Sequence, residues 1–371
     1  MSENEPINIE AEKPAQELRR GWTTGACATA ATKSALHALI KGDFLDPVEI
    51  TLPKGDKPSF ALTREKTGDD FASASIIKDA GDDPDVTHLA VITSTVRRSE
   101  GGIIFRAGDG VGMVTKAGLP IEVGEAAINP IPRKLMTEVV EAFCLEHNIP
   151  ADFEITISVP GGEKLAEKTW NPRLGILGGI SILGTTGVVH PFSCSAWIHS
   201  IHSGIDVSRA NNINHVLGAT GSTSEKIAQD MYNFSDEAML DMGDFAGGLL
   251  KYLRANPIDK LTLAGGFAKF TKLAQGAMDL HSGRSQVDMD WLAEQAAEIG
   301  ANTKTTDEIR SANTALEALQ IAEKAELPLP SRIALLARNT AKTVLRTAPV
   351  SVEILIISRD GKVLAHTDWS D

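Results

Sequence analysis

Two rhythms of apolar and polar positions divide the chain. From Val48 to Pro160 the pattern is mostly period two. "VEITL" puts Val48, Ile50 and Leu52 on one face, and "FEITISV" sets Phe153, Ile155, Ile157 and Val159 against Glu154, Thr156 and Ser158. Such alternation predicts strands with one buried and one wet face. "RRSEGGIIF" predicts a hairpin turning at Glu100-Gly101-Gly102. Two helices frame this half. Ala26 to Ile40 is rich in small residues behind an N-cap at Thr23 or Thr24, and Pro132 to His147 has proline in its first turn.

After Asn171 the rhythm becomes strand, glycine turn, helix. "GILGGISILGTTG" runs into a helix near Phe192 to Ser208, and "INHVLGATGSTSEKIAQDM", "AMLDMGDFAGGLLKYLRA" and "KLTLAGGFAKFTKLAQGA" repeat the plan. Four such units in a row predict a parallel sheet with helices on its faces. Ligands of such sheets bind outside the carboxyl ends of the strands. The turns at Gly184, Gly218, Asp241 to Asp244 and Gly265 are expected on that edge. Beyond Trp291 come helices, then "SVEILIISRDGKVLAH", a hairpin turning at Asp360-Gly361. The expected organisation is an acidic, disordered tail over 1–18, an α+β domain with mostly antiparallel strands over 19–170, and an α/β domain over 171–371.

Composition adds exclusions. The chain has 371 residues, 42% hydrophobic and 23% charged, with 36 Lys plus Arg against 49 Asp plus Glu and a net charge of -13. A general nucleic-acid binder would carry a basic excess. Cys27, Cys144 and Cys194 are far apart in sequence and form no Cys-x-x-Cys pair, so neither a disulfide framework nor a zinc ribbon is indicated. Leu174 to Ile205 carries no charged residue, but Gly178, Gly179, Gly184, Gly187 and Pro191 break it, which reads as core rather than as a membrane span.

The turn Gly184-Thr185-Thr186-Gly187 is not a P-loop, because Val188 stands where a lysine is needed, and it is not a dinucleotide fingerprint. A tight structural turn and a ligand loop are both open to it. A ligand loop there would offer backbone N–H groups and two hydroxyls to a carboxylate, a ribose or a phosphate. "DAGDDPDVTH" holds Asp79, Asp82, Asp83 and Asp85 without the glycine and glutamate of a calcium loop. An exposed acidic turn and a site for a cationic group are its two readings. His199 and His202 lack the partners of a metal pair, and no metal-ligand set is expected anywhere.

Longer stretches resemble one family. "RRGWTTGACATAATKSA", "DAGDDPDVT", "GDGVGMVTKAGLPIEVGEAAINPIPRKLM" and "VPGGEKLAEKTWNPRLGILGGISILGTTGVVHP" are similar to motifs of the CbiD type of cobalamin biosynthesis, the cobalt-precorrin-5B C1-methyltransferases, from about Arg19 to about Asp290. Two positions depart from what many members carry: "GGFAK" has Gly266 for His and Ala268 for Gly, and "GDF" has Asp244 for Asn. The resemblance implies an S-adenosylmethionine-dependent C-methyltransferase, an anionic tetrapyrrole as acceptor, and a Rossmann-like second domain. It further implies a cytoplasmic enzyme without membrane or nucleic-acid partners, with a homodimer as a candidate assembly.

Under that reading the donor falls to Gly184, Thr185, Thr186, Gly187, Gly218, Asp244, Gly265 and Gly266. The acid rim of the tetrapyrrole falls to Thr23, Thr24, Arg97, Lys116, Arg133 and Arg173, and His281 in "DLHSGRS" is the candidate base. The two Thr-Thr-Gly tripeptides, at Thr23 and at Thr185, are each expected at a helix N-terminus, one for each reactant, or as plain helix caps. Two rival classes are a nucleotide-dependent enzyme with phosphate at the same turns and a non-catalytic tetrapyrrole carrier.

Overall fold

The computed structural model describes residues 18–369, so the acidic tail expected over 1–18 lies, except for Leu18, outside the described residues. The chain forms two compact units. The first holds the described residues up to Phe105 together with Ile131–Pro160 and Ile182–Ser193, and the second holds Arg106–Pro130, Gly161–Ser181 and Cys194 onward. A single boundary at 170/171 therefore does not divide them. The reason is pairing: Met113–Val114 forms antiparallel bridges with Ile176–Leu177, which draws both segments into the second unit.

The first unit is built on a five-stranded sheet. Its strands are β1 (Arg64–Thr67), β2 (Phe71–Ile77), β3 (Val91–Arg98), β4 (Ile103–Ala107) and β5 (Phe153–Ser158), in the order β1-β2-β3-β5-β4. The alternation in β5 works as expected: Phe153, Ile155 and Ile157 are fully buried, while Glu154, Thr156 and Ser158 are half-buried. The hairpin expected at Glu100–Gly102 does not form. The strands before and after that turn are separated by β5, which pairs with β3 (Arg97 opposite Glu154) and whose Phe153 N–H donates to Gly102 O at 3.1 Å.

Helix α1 (Thr24–Lys41) lies on this sheet, and its Ala, Thr and Ser side chains let it approach closely enough for Thr32 Oγ1 to meet Ser94 Oγ at 2.8 Å. It starts at an N-cap, Thr23, whose hydroxyl accepts from Ala26 N, and stops at left-handed Gly42. Helix α2 (Pro130–His147) opens with proline as expected.

The second unit carries the other five-stranded sheet. Its elements run α3 (Cys194–Ala210), β6 (His215–Ala219), α4 (Ser222–Tyr232), β7 (Met239–Asp241), α5 (Ala246–Ala255), β8 (Lys260–Gly265) and α6 (Phe267–Ala274). Four helices follow, α7 (Met289–Glu298), α8 (Thr303–Arg310), α9 (Ala315–Lys324) and α10 (Leu329–Leu345), then β9 (Ser351–Ile357) and β10 (Val363–His366). The order is β7-β6-β8-β9-β10, with the first four strands parallel and β10 antiparallel to β9. Because helices cover the parallel strands, β8 and β9 are buried almost throughout rather than on alternate positions, Thr262 and Glu353 included. Three of the four expected strand-turn-helix units are here, and the C-terminal hairpin forms. The first expected unit does not: Ile176–Leu177 pairs outside this sheet, and no helix starts at Gly187. No helix among the described residues is long and apolar enough to cross a membrane.

Candidate functional site

The order β7-β6-β8 creates a switch point. From β6 the chain passes through α4 to one neighbour, β7, and then through α5 back across to the other, β8. The turns after β6 and β8 therefore diverge, leaving a crevice at the carboxyl ends, where open α/β sheets bind ligands. Three segments meet there. Thr220-Gly221-Ser222 leads into α4, with Gly221 as its N-cap, and Ser224 Oγ donates to Gly221 O at 2.8 Å. Asp241 ends β7, and Asp244 follows in the next turn. Gly265 ends β8, and Gly266 caps α6. Lys269, one helical turn on, ties the segments together: its ammonium donates to Thr220 O at 3.1 Å and lies 2.8 Å from Asp244 Oδ1. That second contact is ionic rather than hydrogen-bonded, since Oδ1 has no partner of hydrogen-bond geometry.

Beside this edge lies a cavity of about 370 Å³, within the range of roughly 300–1,000 Å³ usual for small-molecule sites. Gly221, Ser222, Glu225 and Asp241 line it from the sheet edge, and Trp170 and Arg173 face them. Arg173 is held by Glu225 through two hydrogen bonds of 2.9 and 2.7 Å, and it stacks over Trp170 with 5.6 Å to the ring centroid. Burial, and then the nearby Glu225 carboxylate, push the Asp241 carboxyl above its ordinary range. Trp197, 44% exposed, donates its indole N–H to Asp241 O at 2.9 Å and packs on Phe245 at 6.1 Å.

The expected donor residues separate under this geometry. Asp244, Gly265 and Gly266 stand on the predicted edge. Gly218 does not face a ligand: it is inside β6, and a side chain there would meet Leu263 and Leu249. The turn Gly184-Thr185-Thr186-Gly187 does not follow a strand of this sheet; it belongs to the first unit and precedes Val188–Val189, which pairs with Gly21–Trp22. Its glycines answer to packing. Gly184 has φ +142 against Thr23, and Gly187 has φ +81 against Leu52. Thr186 Oγ1 bonds locally with Val188, and Thr185 is exposed.

The two Thr-Thr-Gly tripeptides instead lie against one another. Thr23 N–H donates to Gly187 O at 3.0 Å, Gly25 N–H to Leu183 O at 3.0 Å, and Thr24 Oγ1 accepts from Leu183 N at 2.9 Å. Thr23 and Thr24 are buried, and their hydroxyls and the N–H groups behind them are engaged within the protein. This corrects their expected role on the tetrapyrrole rim. The plain-cap reading holds for Thr23, while no helix starts at the second tripeptide.

Of the remaining candidates, Arg97 and Arg133 lie in the first unit. Arg97 pairs with Asp70 at 2.6 Å and stacks on Phe71, and Arg133 stacks on Phe105 at 5.4 Å. Lys116 and Arg173 lie in the second, paired with Glu237 and Glu225. The structure thus does not gather them on one surface of one unit. His281 sits in the loop after α6. Leu280 N–H donates to Asp244 O at 2.8 Å, which ties the loop to the sheet edge, and His281 Nδ1 accepts from Gly283 N at 3.1 Å. His202 stacks on Tyr252 at 3.9 Å. Among the described residues no group of three His, Cys, Asp or Glu is placed to hold a metal ion.

The acidic turn is neither merely exposed nor open to an outside cation, since its carboxylates hold the chain's own groups. Asp79 pairs with Arg19, whose hydrogen bonds bring it down to about 2. Asp82 and Asp83 accept from Arg19 N and Phe192 N. Asp85 Oδ2 meets Lys78 Nζ at 2.7 Å, and Lys78 is 1% exposed. Sequence reasoning missed Lys78 and Gly221, and it placed Asp241 and Lys269 at the ligand edge without giving either a role. The signal for Asp241 was present: an acid ending the strand after a glycine turn, twenty positions beyond Gly221.

The CbiD family model matches residues 11–191, and the model of the CbiD C-terminal domain matches 279–368. The chain is 64% identical over 366 residues to the cobalt-precorrin-5B C(1)-methyltransferase of Brucella anthropi, covering 98% of this chain and 99% of the relative. It is 63% identical over 367 residues to the protein of the same name from Brucella melitensis biotype 2, with the same coverage. A crystal structure of cobalamin biosynthesis protein (cbiD) from Archaeoglobus fulgidus is 27% identical, with a TM-score of 0.40 over 72% of this chain and 83% of that one. With both of its family models matched and near-complete relatives at this identity, the chain belongs to the CbiD family.

Proposed function

We propose that this protein is an S-adenosylmethionine-dependent C-methyltransferase that methylates C1 of cobalt-precorrin-5B, or its metal-free equivalent, in the cytoplasmic synthesis of cobalamin. The observation that carries this reading is the 64% identity, across 98% of the chain, to relatives named for that reaction.

The second unit, taken as Rossmann-like, receives the donor at the carboxyl edge of its sheet. The residues there fit such a molecule. The cavity of about 370 Å³ has room for a nucleoside. The first turn of α4 leaves N–H groups without intrahelical partners, suited to an anionic end. Carboxylates on the same wall suit an ammonium, a sulfonium or hydroxyls. When bound, S-adenosylmethionine supplies an already activated methyl group, transferred by in-line displacement.

The task of the protein is therefore to hold two reactants in line, which can lower a barrier by about 7–11 kcal/mol. Lys269 fixes the spacing of the β6, β7 and β8 turns through Thr220 and Asp244. Arg173 already holds Glu225 with both of its terminal amino groups, so it serves an acid side chain of the acceptor through its remaining N–H donors. His281 is proposed as the rim base. Its Nδ1 takes up a proton by giving up the Gly283 N–H bond, a loss of about 0.5–1.5 kcal/mol.

The test is direct. With methyl-labelled donor and the tetrapyrrole, with and without cobalt, the acceptor gains one labelled methyl and S-adenosylhomocysteine accumulates. An acceptor of unchanged mass on both substrates refutes the assignment.

A further inference from the structure

We infer that Trp197 is the platform on which the flat ring of the tetrapyrrole rests, with Arg284 receiving one of its acid side chains. The inference rests on the acceptor reading above and assigns it to particular side chains of the second unit.

Trp197 stands at the end of the first turn of α3 and donates its indole N–H to Asp241 O at 2.9 Å. Asp241 ends β7 and lines the cavity, so the indole is fixed at the carboxyl edge of the sheet, next to the cavity but outside its lining. The ring is also held from the side. It packs on Phe245 with 6.1 Å between centroids and a tilt of 54°. Gly243 has φ +56, and a Cβ added there would come within 3.3 Å of the indole. A singly exposed apolar side chain is ordinary. This one differs because its polar atom is satisfied and its orientation is locked, yet the residue remains 44% exposed. A rigid aromatic ring held open to solvent can accept a flat partner at little entropic cost.

A cation stands beside it. Cys194 and Trp197 are three positions apart on α3, which puts them on one face of the helix. Arg284 reaches that face: its Nη2 donates to Cys194 Sγ at 3.4 Å, and its Nη1 to Asp279 Oδ2 at 2.9 Å. Sulfur is a weak acceptor, and the Arg284 side chain is 60% exposed. A ligand carboxylate would displace the thiol and bind the guanidinium more strongly. The same turn carries His281, because Arg284 N–H donates to His281 O at 2.9 Å. Ring surface, acid-binding group and proposed base thus lie close together within one unit. The donor has its place in the cavity, and its adenine offers no anion to Arg284. A macrocycle rimmed with carboxylates matches the aromatic face and the cation together.

Spectrophotometric titration of the full chain with cobalt-precorrin-5B or its metal-free equivalent, beside calorimetry with S-adenosylhomocysteine, tests this. Trp197→Leu should weaken the tetrapyrrole about five- to a hundredfold, the range for a flat ring stacked on an aromatic side chain, and leave S-adenosylhomocysteine unchanged. Trp197→Phe should recover most of that loss. Arg284→Gln should weaken the tetrapyrrole by roughly tenfold, again without effect on S-adenosylhomocysteine. Unchanged tetrapyrrole affinity in a folded Trp197→Leu variant overturns the platform and leaves the acceptor reading standing. Weakening of S-adenosylhomocysteine alone, or of both ligands equally, also overturns it, since the indole would then serve the donor or only the fold. If Trp197→Leu fails to fold, Arg284→Gln decides, and a tetrapyrrole affinity equal to wild type overturns the proposal. No tetrapyrrole binding by wild type removes the acceptor reading, and the platform with it.

Discussion

Replacing Asp85 with alanine isolates the ammonium of Lys78, and the structure sets the scale of the damage. Lys78 is 1% exposed, and its Nζ meets Asp85 Oδ2 at 2.7 Å. The other carboxylate oxygen accepts from Thr87 N at 2.7 Å and Thr87 Oγ1 at 2.6 Å. Asp85→Ala removes the counter-charge and strands those two donors. Breaking one partner of a buried pair costs about 3–5 kcal/mol. At roughly 2–4 °C per kcal/mol for a cooperative unit of 150–250 residues, the melting temperature should fall by about 6–20 °C.

The paired variant is the sharper test. Lys78→Met combined with Asp85→Ala leaves no buried charge and should regain most of the loss. The same pair has a pH signature. Burial raises the Asp85 carboxyl, but the Lys78 charge and the hydrogen bonds from Lys78 and Thr87 outweigh it, so the folded value lies below the ordinary 3.8. The contribution of Asp85 is therefore complete above about pH 4 and is lost as pH falls through the lower folded value. Scanning calorimetry on the single and double variants measures the effect. A single variant melting within 2 °C of wild type, or a double variant no better than the single, refutes the buried-pair argument.

Three further outcomes are expected. Thr23→Val should lower stability by about 0.5–2 kcal/mol through the lost cap while leaving the affinity for the tetrapyrrole unchanged, and a weakened tetrapyrrole affinity at unchanged stability would reinstate Thr23 as a ligand group. His202 and His215 are both held below their ordinary value, chiefly by burial; the unfolded chain then binds more protons below about pH 6.5, so chemical denaturation should show stability falling as pH drops from 7 to 5, and a flat profile in which the His202→Gln variant matches wild type would contradict this. His281→Ala should bind S-adenosylhomocysteine normally and turn over slowly, and single-turnover rates equal to wild type from pH 6 to 9 would remove His281 from the chemistry.

Local rhythm revealed what local rhythm controls. The alternation of β5 and the strand-turn-helix units from His215 to Ala274 are legible because each face of a strand or helix meets a fixed environment. Which strand lies beside which is a long-range matter. "RRSEGGIIF" has the turn residues of a hairpin, yet β5 lies between its two arms. Glycine turns show the same limit. Gly184 and Gly187 signal a backbone requirement, but the groups imposing it, Thr23 and Leu52, lie far away in the sequence. A ligand and a distant side chain leave the same mark. Asp241 was legible as part of a turn on the ligand edge, but the cavity it lines is completed by Trp170 and Arg173 from a distant segment, which local pattern does not show.

The interleaving of the two units bears on how the chain is made. The cap of α1 at Thr23 and the strand Gly21–Trp22 are held by Leu183, Gly187 and Val188–Val189. During synthesis the opening segment must therefore wait until nearly half of the chain has followed it from the ribosome. No contiguous fragment ending before Gly187 contains a complete first unit. A gene truncated there should yield a product that recruits chaperones or proteases rather than a folded half. A split of the coding sequence between Gly161 and Ile182 should fail in the same way, because the first piece would lack Ile182–Ser193 and the second would lack Arg106–Pro130.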